Sequence, residues 1–193
     1  MRIFAQIVPS VLACCCLLTA PSPPLLAQAP AAAKPAVGTV ISPAEVYDKL
    51  LSGLEKEFVD AAEAMPEDKY GFAPAATAGE FKGVRTFAAE VKHVTEANDY
   101  FFHGPSKPLA DNRADIEKLT SKADIVNALK DSFAQAHAYI DAITPENAFV
   151  TTQNGTRAGI AARGIAHFMD HYGQMVEYLR MNGIVPPASR GGM

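Results

Sequence analysis

Apolar residues recur at three- and four-residue steps in four separate stretches of the chain, the spacing of helices that each bury one face. The first opens at Ser42-Pro43-Ala44-Glu45, where a capping serine, a proline at the first helical position and a glutamate at the third supply both ends of a capping box. Behind it Val46, Leu50, Leu54, Phe58, Ala61 and Met65 mark the apolar face, and Pro66 closes the segment. A second helix is predicted over 85–102, with Phe87, Val91, Val94 and Phe101 on its stripe and Gly104-Pro105 stopping it. Ser121 caps the third, whose Ile125, Leu129, Phe133, Ala136 and Ile140 face inward until Thr144-Pro145. Thr156 opens the longest, which runs to Asn182-Gly183. There a glycine suits left-handed backbone just past a helix end, and Pro186-Pro187 bars continuation.

No stretch alternates with period two over a strand's length, and no internal repeat is visible. Four amphipathic helices with long connections predict an all-α, up-down type four-helix bundle over 42–193. The segment 67–83 holds three glycines and one proline without periodicity, so it reads as a connecting loop able to carry function.

The N-terminus breaks this pattern. Arg2 precedes an apolar run from about Ile3 to Ala20, and Ala27-Gln28-Ala29 offers a small-x-small cleavage site, so residues 1–29 read as a signal peptide. Pro9, Pro21, Pro23 and Pro24 interrupt the run before it makes a comfortable membrane span. Export to the periplasm or the medium is the expectation. A lipoprotein anchored through Cys14 is the lesser alternative, since Val11-Leu12-Ala13 only loosely resembles a lipobox. The Ala/Pro-rich stretch 30–41, with Lys34 as its single charge, reads as a flexible linker.

Cleavage changes the chemistry available. Cys14, Cys15 and Cys16 all lie in the signal, so the mature chain has no thiolate ligand, no cysteine nucleophile and no disulfide. Removing residues 1–29 takes away one base, Arg2, and no acid, which moves the net charge from −4 to −5. With no basic run, nucleic acid is not an expected partner.

What remains for chemistry is histidine. His167 and His171 lie one turn apart on one face of the last helix, a spacing that lets two imidazoles bind one metal ion. Taken alone, the pair is as readily explained by structural or surface histidines. Ile160 and Gly164 share its strip, which turns it toward the bundle, and His93 beside the stripe of the second helix is the best candidate for a third ligand. His103, at a helix end, is accounted for by terminal carbonyls, and His137, among Ala136, Ala138 and Tyr139, by an ordinary half-exposed position. Asp170 and Glu177 fall off the strip and read as solvent-facing, with Asp170 a weak candidate to support a ligand. The sequon Asn154-Gly155-Thr156 is explained by turn composition, and no serine sits in a nucleophile elbow.

Two stretches carry a family likeness. The run from Val84 to Asn98, with its single His93, and His167-Phe168-Met169-Asp170-His171-Tyr172-Gly173-Gln174 resemble the second and last helices of the DinB/YfiT-like superfamily. Tyr178 to Pro187 is similar to the family's ending, so the resemblance spans roughly residues 42–190. It implies that His93, His167 and His171 hold a divalent ion, with zinc, nickel and iron among the possibilities, and that the chain forms a homodimer. Relatives include thiol-dependent transferases and isomerases, hydrolases, and proteins without assigned activity. The expectation is therefore a metal-dependent hydrolase or thiol transferase acting on a small molecule, with Gln174 or Tyr172 orienting it. The alternative is a non-catalytic bundle that binds metal or a partner. An exported setting separates the chain from cytosolic thiol cofactors.

Overall fold

The computed structural model describes residues 34–103 and 112–191. The expected signal at 1–29, with its three cysteines, lies outside the described residues, as do 30–33 of the expected linker and the helix-stopping Gly104-Pro105. The chain divides into two units, Met1–Thr39 and Val40–Met193. In the first, the described part is exposed and carries one turn, from Thr39 N–H to the Ala36 carbonyl.

The second unit is helical. Helix α1 spans Pro43–Ala64, α2 Phe87–Phe102, α3 Arg113–Glu117, α4 Lys122–Asp141 and α5 Arg157–Met181. Every long helix starts at a hydroxyl cap: Ser42, Thr86, Ser121 and Thr156 each accept from the backbone N–H three residues on. Helix α5 ends as its sequence dictates. Gly183 takes φ +73°, its N–H reaches the Arg180 carbonyl, and the Ile184 N–H reaches the Leu179 carbonyl, a complete Schellman motif. The short elements were not predicted: the single-turn α3, a hairpin of β1 (Thr151–Thr152) and β2 (Gly155–Thr156), and 3-10 turns at Glu67–Lys69, Ala76–Ala78 and Pro187–Ser189. All are too short to leave a periodic signature. Among the described residues no helix is long and apolar enough to cross a membrane.

The four long helices pack in the cyclic order α1, α4, α2, α5. Side-chain ties fix their directions. Lys122 at the start of α4 reaches the Glu63 and Met65 carbonyls at the end of α1, so these two run antiparallel. Asn98 meets Ser132 and Phe102 meets Tyr139, so α2 and α4 run parallel. Tyr178 near the end of α5 donates to the Arg85 carbonyl before α2, which makes that pair antiparallel. The bundle is therefore up, down, down, up. A parallel neighbour requires the chain to travel back the helix length, which the connection through α3 supplies.

The core follows the predicted stripes in α2 and α4, where Phe87, Val91, Val94, Ile125, Leu129, Phe133, Ala136 and Ile140 are buried and Phe101 is half-buried, and α5 adds Phe168, Met175 and Leu179. Helix α1 follows its prediction at Phe58, Ala61 and Met65 but not in its first turns, where Val46 and Leu50 are 44% and 50% exposed and Leu51 is buried instead. Adjacent residues share the helical periodicity, and the neighbours α4 and α5 select which of them turns inward. One glycine is required by packing. A Cβ on Gly164 would stand 2.5 Å from Cζ of Phe102, so its absence lets α5 close onto the end of α2.

Candidate metal centre

The site depends first on how α2 is held. The loop that includes 67–83, expected to be able to carry function, acts as its anchor. Phe87 N–H donates to the Phe72 carbonyl at 2.8 Å, and Ala88 N–H to the Tyr70 carbonyl at 2.8 Å. With Thr86 accepting from Ala89 and Glu90, all four first-turn donors of α2 are satisfied. Tyr70 is itself fixed by its hydroxyl on the Ala62 carbonyl and its ring against Phe87. Glu90 and His93 thus project from a helix end with little freedom, toward α5.

From the facing helix come His167 and His171. The three rings converge, with centroids 5.2 Å apart for His93 and His167, 4.7 Å for His93 and His171, and 4.5 Å for His167 and His171. One nitrogen from each lies within 4.8 Å of the other two. His167 and His171 point Nε2 at each other across 3.2 Å. Two nitrogens bound tetrahedrally at zinc-like distances would be about 3.3 Å apart, so the pair already has the spacing of ligands to one ion. The donor set fits as well: three imidazoles and no thiolate suit zinc, nickel or iron.

Glu90 completes the arrangement, and sequence reasoning missed it. Its carboxyl is 1% exposed, and Oε2 accepts from His171 Nδ1 at 2.6 Å. That bond fixes the ring's tautomer and turns Nε2 toward the other histidines, the usual support of a metal-binding imidazole. Arg85, also missed, stands 4.0 Å from Glu90 Oε1 with its side chain half in solvent. A signal was available. Glu90 and His93 are three apart on one helix face, and a carboxylate at that spacing from a histidine recurs in bundle metal sites.

The electrostatics keep His93 and His167 in ligand form. Burial, then the positive charge of Arg85 and the nearby His171 and His167, push His93 down to about 4, against the opposing pull of Glu90. Burial, then His171, lowers His167 too. Neutral imidazole is the state that binds metal. Buried without a hydrogen-bond partner, Nδ1 of His167 leaves Nε2 as the nitrogen in use. His171 is buried and the other two are half-buried, so the cluster opens to solvent on one side.

The remaining candidates fall elsewhere. Asp170 is exposed, and the supporting role considered for it belongs to Glu90. Tyr172 packs on the core and feels Glu57 and Asp60 of α1, while Gln174 donates to the Asp170 carbonyl. His103 bonds the Tyr100 carbonyl, as its helix-end position predicts. His137 is more than an ordinary half-exposed residue. Its Nδ1 meets Asp48 at 2.5 Å and its Nε2 meets Glu55 at 2.9 Å, tying α4 to α1.

A family model describing the DinB superfamily matches residues 50–175, which contain α2, the Glu90 support and all three histidines. The chain belongs to the DinB superfamily. A crystal structure of a protein provisionally assigned to the DinB family from Exiguobacterium sibiricum superimposes with a TM-score of 0.55 at 15% identity, covering 72% of this chain and 91% of that one. At that identity the likeness concerns the fold. No curated protein matches the sequence.

Proposed function

We propose that this DinB superfamily chain is an exported metalloprotein whose His93, His167 and His171 hold one divalent ion and present it to a small-molecule substrate. The observation that carries the reading is the convergence of three imidazoles, two of them held neutral by burial and the third oriented by a buried carboxylate. Three protein ligands leave coordination positions open, the arrangement of a catalytic site more than of a closed structural one. Zinc, nickel or iron so held supplies Lewis acidity, which polarises a carbonyl or activates a thiol or water in hydrolysis or thiol transfer.

The chain's own residues have definite tasks in this reading. Glu90 keeps the His171 proton on Nδ1 and Nε2 free. Arg85 places a guanidinium beside the cluster, where it can pair with an anionic group of the substrate. Export rests on the signal-like residues 1–29, and a homodimer on the family likeness. The non-catalytic alternative is favoured by one observation: Glu90, the carboxylate at the cluster, is engaged by His171 and is not free to act as a general base.

The test uses tag-free mature protein stripped with a chelator and reloaded separately with zinc, nickel and iron(II). Turnover of ester, amide or thiol-transfer substrates by a loaded form and not by the stripped form supports the enzyme. Stoichiometric binding without turnover favours the non-catalytic bundle. Failure to bind any of the three ions overturns both.

A further inference from the structure

At the end of the bundle where α2 and α4 finish and α5 begins, a shallow, open cleft of about 40 Å³ lies apart from the three histidines. Tyr100, Phe101, Tyr139 and Ile160 form its apolar side, Arg157 and Arg163 bring cations to it, and His103, Thr152 and Asn154 complete its lining. Neither arginine has a carboxylate or hydrogen-bond partner among the described residues, in a chain that is acidic overall. Arg163 lies 5.6 Å from the centre of the Phe101 ring, which holds its guanidinium over an aromatic face. Tyr139 is a nearly buried ring whose hydroxyl makes no hydrogen bond to the described residues, and Arg157 is close enough to act on it electrostatically.

Unpaired guanidiniums beside flat apolar walls match a particular chemistry. Guanidinium pairs with carboxylate through two parallel hydrogen bonds, and aromatic walls take a planar ring. We propose that this cleft is a binding site for small aromatic carboxylates, with the ring seated among Tyr100, Phe101, Tyr139 and Ile160 and the carboxylate met by Arg157 and Arg163. Phe101 also stands edge-on to His167, with centroids 5.5 Å apart, so one ring is shared between this cleft and the histidine cluster. The site stands whether or not the histidines carry an ion, because its binding groups are separate from theirs.

The probe is 2-naphthoate, with neutral 2-naphthamide as the matched control, titrated into the full mature protein by calorimetry and by NMR. The expected result is saturable binding of naphthoate at least tenfold tighter than of the amide, with the largest shifts at Tyr100, Tyr139 and Ile160. Arg157→Gln and Arg163→Gln, each folded by circular dichroism, should erase that preference while leaving amide binding unchanged. Equal affinity for acid and amide, shifts mapping away from these residues, or an unchanged preference in both arginine variants would each overturn the proposal. Chelator-stripped protein should bind naphthoate as the untreated protein does, which separates failure here from failure of the metal reading.

Discussion

Replacing Glu90 tests whether the histidines are organised for metal or merely packed together. The carboxyl is buried and accepts from His171 Nδ1 at 2.6 Å, so Glu90→Gln keeps an acceptor of the same shape and removes the charge, while Glu90→Leu removes both. Loss of such a support costs about 10–100-fold in metal affinity. The glutamine variant should sit near the lower bound, about 1.4 kcal/mol, and the leucine variant near the upper, about 2.7 kcal/mol. Leucine also strands a buried imidazole N–H, which costs the apoprotein about 1–3 kcal/mol of stability. Arg85 supplies the opposite control. Its positive charge faces the same cluster, so Arg85→Gln should hold a cation slightly more tightly, by a small factor because the guanidinium is half in solvent. The assay is competition against a chromophoric chelator on tag-free protein, with folding checked by thermal melting. If Glu90→Gln binds zinc as tightly as wild type while His171→Ala loses it, Glu90 does not support the ligand and the reasoning fails.

Other consequences follow from the packing and the charges. Gly164→Ala places a methyl 2.5 Å from the buried Phe102 ring and should destabilise the bundle by about 1–3 kcal/mol in urea unfolding, whereas the same change at the open Gly173 should lack that clash. His137 is buried enough to resist charging, but hydrogen bonds to Glu55 and Asp48 outweigh burial and raise its pKa. A raised folded value means its stabilisation is complete below the unfolded pKa of about 6.5 and fades as pH rises through the folded one. The stability gap between wild type and His137→Gln, about 0.5–1 kcal/mol, should therefore be widest near pH 5–6 and shrink by pH 8–9 in denaturant titrations. A gap that widens with pH would show that the charged pair is not what His137 contributes.

Much of the fold was legible because caps and stripes are local. Ser42, Ser121 and Thr156 start their helices as hydroxyl caps, and Gly183 ends α5 in the left-handed backbone its position requires. The order of packing was not legible, since a stripe shows that a face is buried without showing against what. Nothing in α1 alone shows that its first turns bury Leu51 in place of Val46 and Leu50. At the site, the histidines stood out because few other residue types bind metal in a chain whose cysteines all precede residue 17. Glu90 did not, because an acidic residue in a first helical turn is already explained by the helix dipole. Its burial arises only when α5 brings His171 against it.

The central claim is tested most directly by elemental analysis of tag-free mature protein, purified without chelator, beside His93→Ala, His167→Ala and His171→Ala. His103→Ala and His137→Ala serve as controls outside the cluster. Three ligands acting together predict about one zinc, nickel or iron per wild-type chain, retained in both controls and lost from each of the three variants. Unchanged metal content in those three, or a wild type that holds no metal and gains no thermal stability from any of the three ions, would contradict the account.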